Sequence, residues 1–261
     1  MKPQVLLLLI LPALVGCDQT PTGRHQLTLV PDYIMTDIGR QTFAQMRQSQ
    51  RVVTEPAINE RVRCVAREII KAAARLYPEA KMPKTWDVAV FQNPTPNAFA
   101  LPGGHIGVHT GMLRLADNPA QLAAVIGHEV GHLLANHGNE RLTQQLGIKA
   151  VLLLVGLLGD IDNQQILQAI GVGARLGITL PFSRAHEEEA DLMGLQMMAA
   201  AGFPPSQSVA LWRNMARSGG AQPLEFLSTH PAHDTRIQNL QSHMAPALDR
   251  FQHAQPPACP P

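Results

Sequence analysis

The chain carries almost no excess of either charge. Its 261 residues hold 21 Lys and Arg against 20 Asp and Glu, a formal net charge of +1. No basic block interrupts that balance, which argues against nucleic acid as a partner. Long apolar runs are also missing. Val5 to Val15 is an apolar stretch of eleven residues broken by Pro12. The greasy run from Leu146 to Gly159 is shorter than about 18 residues and contains Lys149, so it reads as a buried or membrane-surface helix and not as a span. Cysteine is scarce, with three in the chain, and neither Cys64 nor Cys259 lies in a recognisable nucleophile context, which disfavours thiol catalysis. Internal repeats and low-complexity segments are absent. What remains, 45% hydrophobic and 16% charged residues, suffices for one substantial core.

The first residues read as a targeting segment. Lys2 precedes the short apolar run, and Leu14-Val15-Gly16-Cys17 resembles the bacterial lipobox. That resemblance implies removal of residues 1–16 and lipidation of Cys17, giving a stable membrane anchor. Asp18 follows the lipidated position, and inner and outer membrane both stay open. Export would permit a disulfide. Cys64 falls in a helical pattern and Cys259 in a proline-rich tail, where they either pair or remain two independent thiols.

Behind the anchor, residues 17–50 divide into a polar tether (18–31, with Pro21, Gly23 and Pro31) and a helix over 32–50. Residues 51–245 form the main domain, and 246–261 a Pro-rich tail. Within the domain, Ile58, Val62, Val65, Ile69 and Ala72 recur at helical spacing over 56–76. Residues 86–91 alternate as a strand. Ala98–Leu101 and His105–His109 flank Pro102-Gly103-Gly104 as a hairpin. Helices are expected over 118–137, 140–159, 163–177, 185–201, 205–217 and 233–244.

The chemistry concentrates in Gly127-His128-Glu129-Val130-Gly131-His132. On a helix, positions i and i+4 leave the same face one turn apart. His128 and His132 can therefore offer two imidazole nitrogens to one zinc ion, and Glu129 stands close enough to take a proton from a water without being a ligand. Asp117-Asn118-Pro119 reads as the helix start. Asn136-His137-Gly138 reads as its end, with Gly138 in the left-handed position and His137 against terminal carbonyls.

A hydrolytic zinc needs a third protein ligand. His137 comes at the wrong spacing for a downstream histidine ligand. Ala185-His-Glu-Glu-Glu-Ala-Asp-Leu-Met-Gly194 offers a glutamate instead. Helical periodicity puts Glu187 and Asp191 on one small, apolar stripe with Gly194, and Glu189 on the solvated side. Two acids one turn apart repel unless something separates them. Zinc on Glu187, with Asp191 hydrogen-bonded to a ligand imidazole, resolves that cost, and Gly194 permits close approach of the two helices.

HExxH followed by ExxxD resembles the HtpX-type zinc peptidases, relatives of the CAAX prenyl proteases and the mitochondrial Oma-type peptidases. Asn97-Ala-Phe-Ala-Leu-Pro-Gly-Gly-His-Ile106, Pro181-Phe-Ser-Arg184 and Ser228-Thr-His-Pro-Ala232 match further blocks, so the likeness covers about residues 55–240. The lipobox makes it resemble the periplasmic BepA/LoiP-like lipoprotein branch, from which it departs by ending without a tetratricopeptide array. The implied fold is α+β, a mainly helical, gluzincin-like zincin domain with a small sheet or hairpin beside the HExxH helix. The resemblance implies one Zn2+ per chain on His128, His132 and Glu187, with Glu129 as the general base. His230 would be an oxyanion donor or a cap on the zinc, and Arg236 would orient its loop. Asn97, Ala98, Phe99, Ala100 and Leu101 would form the edge that receives an extended substrate. The implied substrates are misfolded or unassembled proteins of the bacterial cell envelope. A second reading keeps the fold as a lipid-anchored chaperone or assembly factor that rarely cuts.

Overall fold

The computed structural model describes residues 17–145, 147, 181–218, 225–231 and 235–260. The expected helix over 163–177, most of that over 140–159, and residues 1–16 lie outside them. Among the described residues no helix is long and apolar enough to cross a membrane.

The chain starts with a two-stranded antiparallel hairpin, β1 (Cys17–Gln19) and β2 (His25–Leu27), turned at Gly23, which takes a left-handed φ of 88°. This corrects the expected tether: Thr20 and Gln26 are buried against the body. Helix α1 (Asp32–Ser49) follows, then α2 (Pro56–Leu76), opened by Pro at its first turn and burying Val62, Val65, Ala66, Ile69, Ala72 and Ala73. Three strands make a mixed sheet in the order β3-β5-β4. β3 (Asp87–Phe91) runs parallel to β5 (His105–His109), and β4 (Ala98–Leu101) pairs antiparallel with β5, joining Ala100 to Ile106. β4 is thus an edge of this sheet.

After the short α3 (Thr110–Leu115), α4 (Pro119–Leu134) runs through the core. The Asn118 side chain caps it by accepting from the Gln121 amide, and Pro119 occupies the first turn. All its residues but Pro119 and Leu133 are buried. The helix stops three residues earlier than expected. Asn136, not Gly138, takes the left-handed conformation (φ 57°), and a new helical stretch begins at residue 137. Asn tolerates that region through local side-chain hydrogen bonding, and its carbonyl here accepts from the Asn139 and Glu140 amides of the next helix.

Helix α5 (Arg184–Ala200) is capped by Ser183, which accepts from the His186 amide. It lies directly on α4. A Cβ built at Gly194 would stand 2.8 Å from the His128 amide nitrogen, and one at Gly131 3.0 Å from the Ala190 carbonyl oxygen. Only hydrogen at both positions lets the backbones come this close. Helices α6 (Ser206–Ser218), α7 (Glu225–Thr229), α8 (Arg236–Ser242) and α9 (Met244–Gln252) complete the fold. The expected last helix over 233–244 is therefore two helices, with the second reaching into the Pro-rich tail. The tail folds back past Gly202 and ends with Cys259 disulfide-bonded to Cys64 on α2, Cα to Cα 5.5 Å.

Candidate metal centre

Helix α4 presents His128 and His132 one turn apart, and α5 brings Glu187 between them. His128 Nε2 and His132 Nε2 are 3.0 Å apart, and Glu187 Oε1 lies 3.3 Å from His132 Nε2. The start of the segment beyond α7 adds His230, whose Nδ1 stands 3.0 Å from Glu187 Oε1 and 3.2 Å from His128 Nε2. The four donor atoms all lie within 4.8 Å of one another, and all four residues are buried. Burial pushes the Glu187 carboxyl up, but the imidazoles of His132, His230 and His128 outweigh it and hold the group well below the usual carboxylate range. Burial drives His132 well below its ordinary value, so this imidazole is neutral at pH 7.

The surroundings decide which nitrogens carry protons. His128 Nδ1 is 3.0 Å from Asp191 Oδ1. A carboxylate only accepts, so His128 donates from Nδ1 and keeps a lone pair on Nε2. His132 reaches the same state by a longer route. Its Nδ1 is 2.9 Å from His137 Nδ1, and His137 Nε2 is 3.1 Å from Glu189 Oε2. Burial lowers His137 to about 4, so its one proton sits on Nε2 and is donated to Glu189. Its Nδ1 then accepts from His132 Nδ1, which leaves a lone pair on His132 Nε2. Two imidazole lone pairs and a carboxylate therefore converge on one buried point, where only a cation relieves their mutual repulsion. This donor set fits a divalent metal.

Arg236 lies beneath the centre. Its Nε and Nη2 donate to Asp191 and its Nη1 to Glu187, at 2.5 to 2.7 Å, and its guanidinium lies 3.6 Å above the Trp212 ring. It is 3% exposed. Among the described residues its polar contacts are with Asp191 and Glu187 of α5 and with the His128 ring, 3.2 Å from Nη2 to Nδ1. Two aromatic rings brace the imidazoles: Phe182 stacks on His132 (4.0 Å) and Phe226 on His230 (4.4 Å).

Glu129 is buried on the opposite side. Burial raises its carboxyl above the usual range, against the pull of His230 and His128. Its Oε1 accepts no hydrogen bond among the described residues, with His230 Nε2 3.5 Å away. The same carboxyl is hydrogen-bonded by the backbone of Ala100 on β4, so the edge strand runs beside it. From that strand a cavity of about 770 Å³ extends past His132 and Phe182, with Met35, Ile38, Leu101, Leu133 and Leu142 among its walls.

Two sequence expectations fail here. Glu189 is buried instead of solvated, accepting from Arg24, Thr22 and His137. His137 is fully buried and bonded to side chains, not to helix-end carbonyls. Helical azimuth could not show that the N-terminal hairpin and the segment after α4 cover that face. Phe226 and Trp212 were also missed, and Phe182 was noticed only as part of the block Pro181-Phe-Ser-Arg184, without a role.

A family model described as peptidase family M48 matches residues 56–244. A mitochondrial metalloendopeptidase of the Oma type from Saccharomyces cerevisiae is 31% identical over 91% of this chain and 72% of its own length. Its counterpart in Schizosaccharomyces pombe is 35% identical over 62% of this chain and 48% of that protein. A β-barrel assembly-enhancing protease from Escherichia coli K12 is 27% identical over 78% of this chain and 43% of that protein. The chain thus spans less than half of the latter two.

Proposed function

Because the chain belongs to peptidase family M48, we propose that it is a zinc-dependent endopeptidase of the bacterial cell envelope, acting on misfolded or unassembled proteins. The convergence of His128, His132 and Glu187 on one buried point, with the free oxygen of Glu129 beside it, carries this reading. These three side chains would hold the ion. When bound, zinc would lower the pKa of a water towards about 7 and polarise the scissile carbonyl.

Glu129 does the proton work. Its raised pKa suits a group that accepts a proton at Oε1 and later delivers it to the leaving amine. An extended substrate would lie along Asn97, Ala98, Phe99, Ala100 and Leu101, adding a strand to the β4 edge through main-chain hydrogen bonds. Main-chain docking leaves side-chain preference loose. The apolar walls of the adjoining cavity favour chains that expose apolar side chains, which unfolded proteins do. Lipid on Cys17 would keep the enzyme at the inner or outer membrane, facing the periplasm.

His230 would serve in one of two ways. Its Nδ1 stands among the four donor atoms, where it would be a fourth ligand closing the centre. Swung away, it would donate to the negative charge developing on the carbonyl oxygen. A closed centre would support the second reading, an envelope chaperone with little proteolysis. Casein cleavage by the purified chain from residue 18 separates the two, with Glu129→Gln alongside. We expect the substitution to abolish cleavage while zinc content stays at one per chain. Equal cleavage by both proteins would remove Glu129 from the mechanism, and no cleavage by the unsubstituted chain would favour the chaperone.

A further inference from the structure

We propose that Arg24, on the N-terminal hairpin, is a positioning residue of the metal centre, acting through Glu189 and His137 on His132. The proposal rests on the zinc reading above.

The connection is continuous. Arg24 Nε donates to Glu189 Oε2 at 2.6 Å, and its two terminal nitrogens take Glu140 as a fork, at 3.1 and 2.7 Å. The Thr22 hydroxyl donates to the other oxygen of Glu189. Glu189 Oε2 in turn receives His137 Nε2, and His137 Nδ1 meets His132 Nδ1. His186, held by Glu140 at 3.0 Å, stacks on the His137 ring at 4.4 Å and fixes its plane. Both carboxylate side chains are no more than 8% exposed.

The two metal-facing imidazoles thus have unequal supports. His128 is oriented by one direct carboxylate, Asp191, on the facing helix. Among the described residues the partner of His132 Nδ1 is an imidazole, that of His137, and not a carboxylate. His132 depends on this second imidazole, and that ring could present either tautomer. Only an acceptor fixed at its Nε2 reserves its Nδ1 to accept from His132, and so reserves the His132 Nε2 lone pair for the ion. Arg24 and Thr22 fix that acceptor. Without them Glu189 and Glu140, both carboxylates, are left without their shared cation and draw away from the relay. A hairpin that sequence reading treats as a tether therefore takes part in building the site.

The test is zinc affinity of the full chain, measured by competition with a chromogenic chelator, with the visible spectrum of the cobalt-loaded protein as a second reading. Loss of an outer partner of a ligating histidine typically weakens metal binding by about 10- to 100-fold. We expect Arg24→Ala to weaken zinc by about tenfold and to shift the cobalt bands. Thr22→Val, which keeps the volume and removes one donor, should act in the same direction and less strongly. In a His137→Phe background, Arg24→Ala should change affinity by less than about twofold, because the link it acts through is gone. Equal losses in both backgrounds would show a general structural effect and overturn the proposal. So would unchanged affinity and unchanged bands in both Arg24→Ala and Thr22→Val. Failure of the unsubstituted chain to take up zinc would overturn the proposed function itself.

Discussion

The α4–α5 interface and the N-terminal hairpin both support the same pair of imidazoles, yet they are built on opposite terms. On the α5 side, Asp191, Glu187 and Arg236 are sealed in the core and reach His128 directly. On the hairpin side, Arg24 keeps a side-chain exposure of 27%, and its influence passes through two further residues. A direct, dry support can be set by the packing of two helices. A relayed one needs segments from opposite parts of the chain, and its outermost member remains in contact with solvent, where ion pairs contribute less.

The largest expected contrast comes from removing the buried cation. Arg236→Ala leaves Glu187 and Asp191 buried without their shared partner. Breaking such a cluster costs about 3–5 kcal/mol, to be measured by urea denaturation of the metal-free protein. A loss no larger than that of Arg24→Ala would erase the distinction between the two supports.

A smaller effect should follow from spreading the helices. Gly194→Ala puts a methyl carbon against the His128 amide, and overpacking of this kind costs about 1–3 kcal/mol. Thermal unfolding should show it, and zinc affinity should fall with it, because the spacing of His128 and Glu187 changes together. A Gly194→Ala protein as stable as its parent would mean that the close approach is not required.

A further expected effect is a pH dependence that His137 on the hairpin side shares with the buried His132. Folding lowers His137 from about 6.5 to about 4. The unfolded chain then binds the extra proton first, so this stabilisation is complete above about 6.5 and is lost as pH falls towards 4. Glu140 behaves similarly at lower pH. Burial opposes its ionisation, but His186 and Arg24 hold it at about 2, so its contribution is complete above about 4.5 and fades below that. Melting temperatures of the metal-free chain from pH 7 to 4 should decline through the first window, and His137→Gln should flatten that decline. An unchanged slope in the variant would assign the acid sensitivity elsewhere.

The same contrast explains what could be read in advance. The start of α4, the span of α5, the 98–101/105–109 hairpin and the shared helix face of His128 and His132 were legible, because each depends on spacing within a short stretch of chain. So was the use of Gly194 for close approach. Glu189 and His137 were misplaced because their partners lie 165 and 52 residues away along the chain. The left-handed residue was assigned to Gly138, when Asn136 could serve as both stop and cap for the next helix.

Amino-acid order alone determined that two imidazoles and a carboxylate would share helix faces, since helical pitch converts a spacing of four into a common direction. Which nitrogen of each ring keeps its lone pair was decided only by tertiary structure. A proton's position depends on what stands opposite it, and those neighbours meet only once hairpin, core helices and C-terminal segments have packed together.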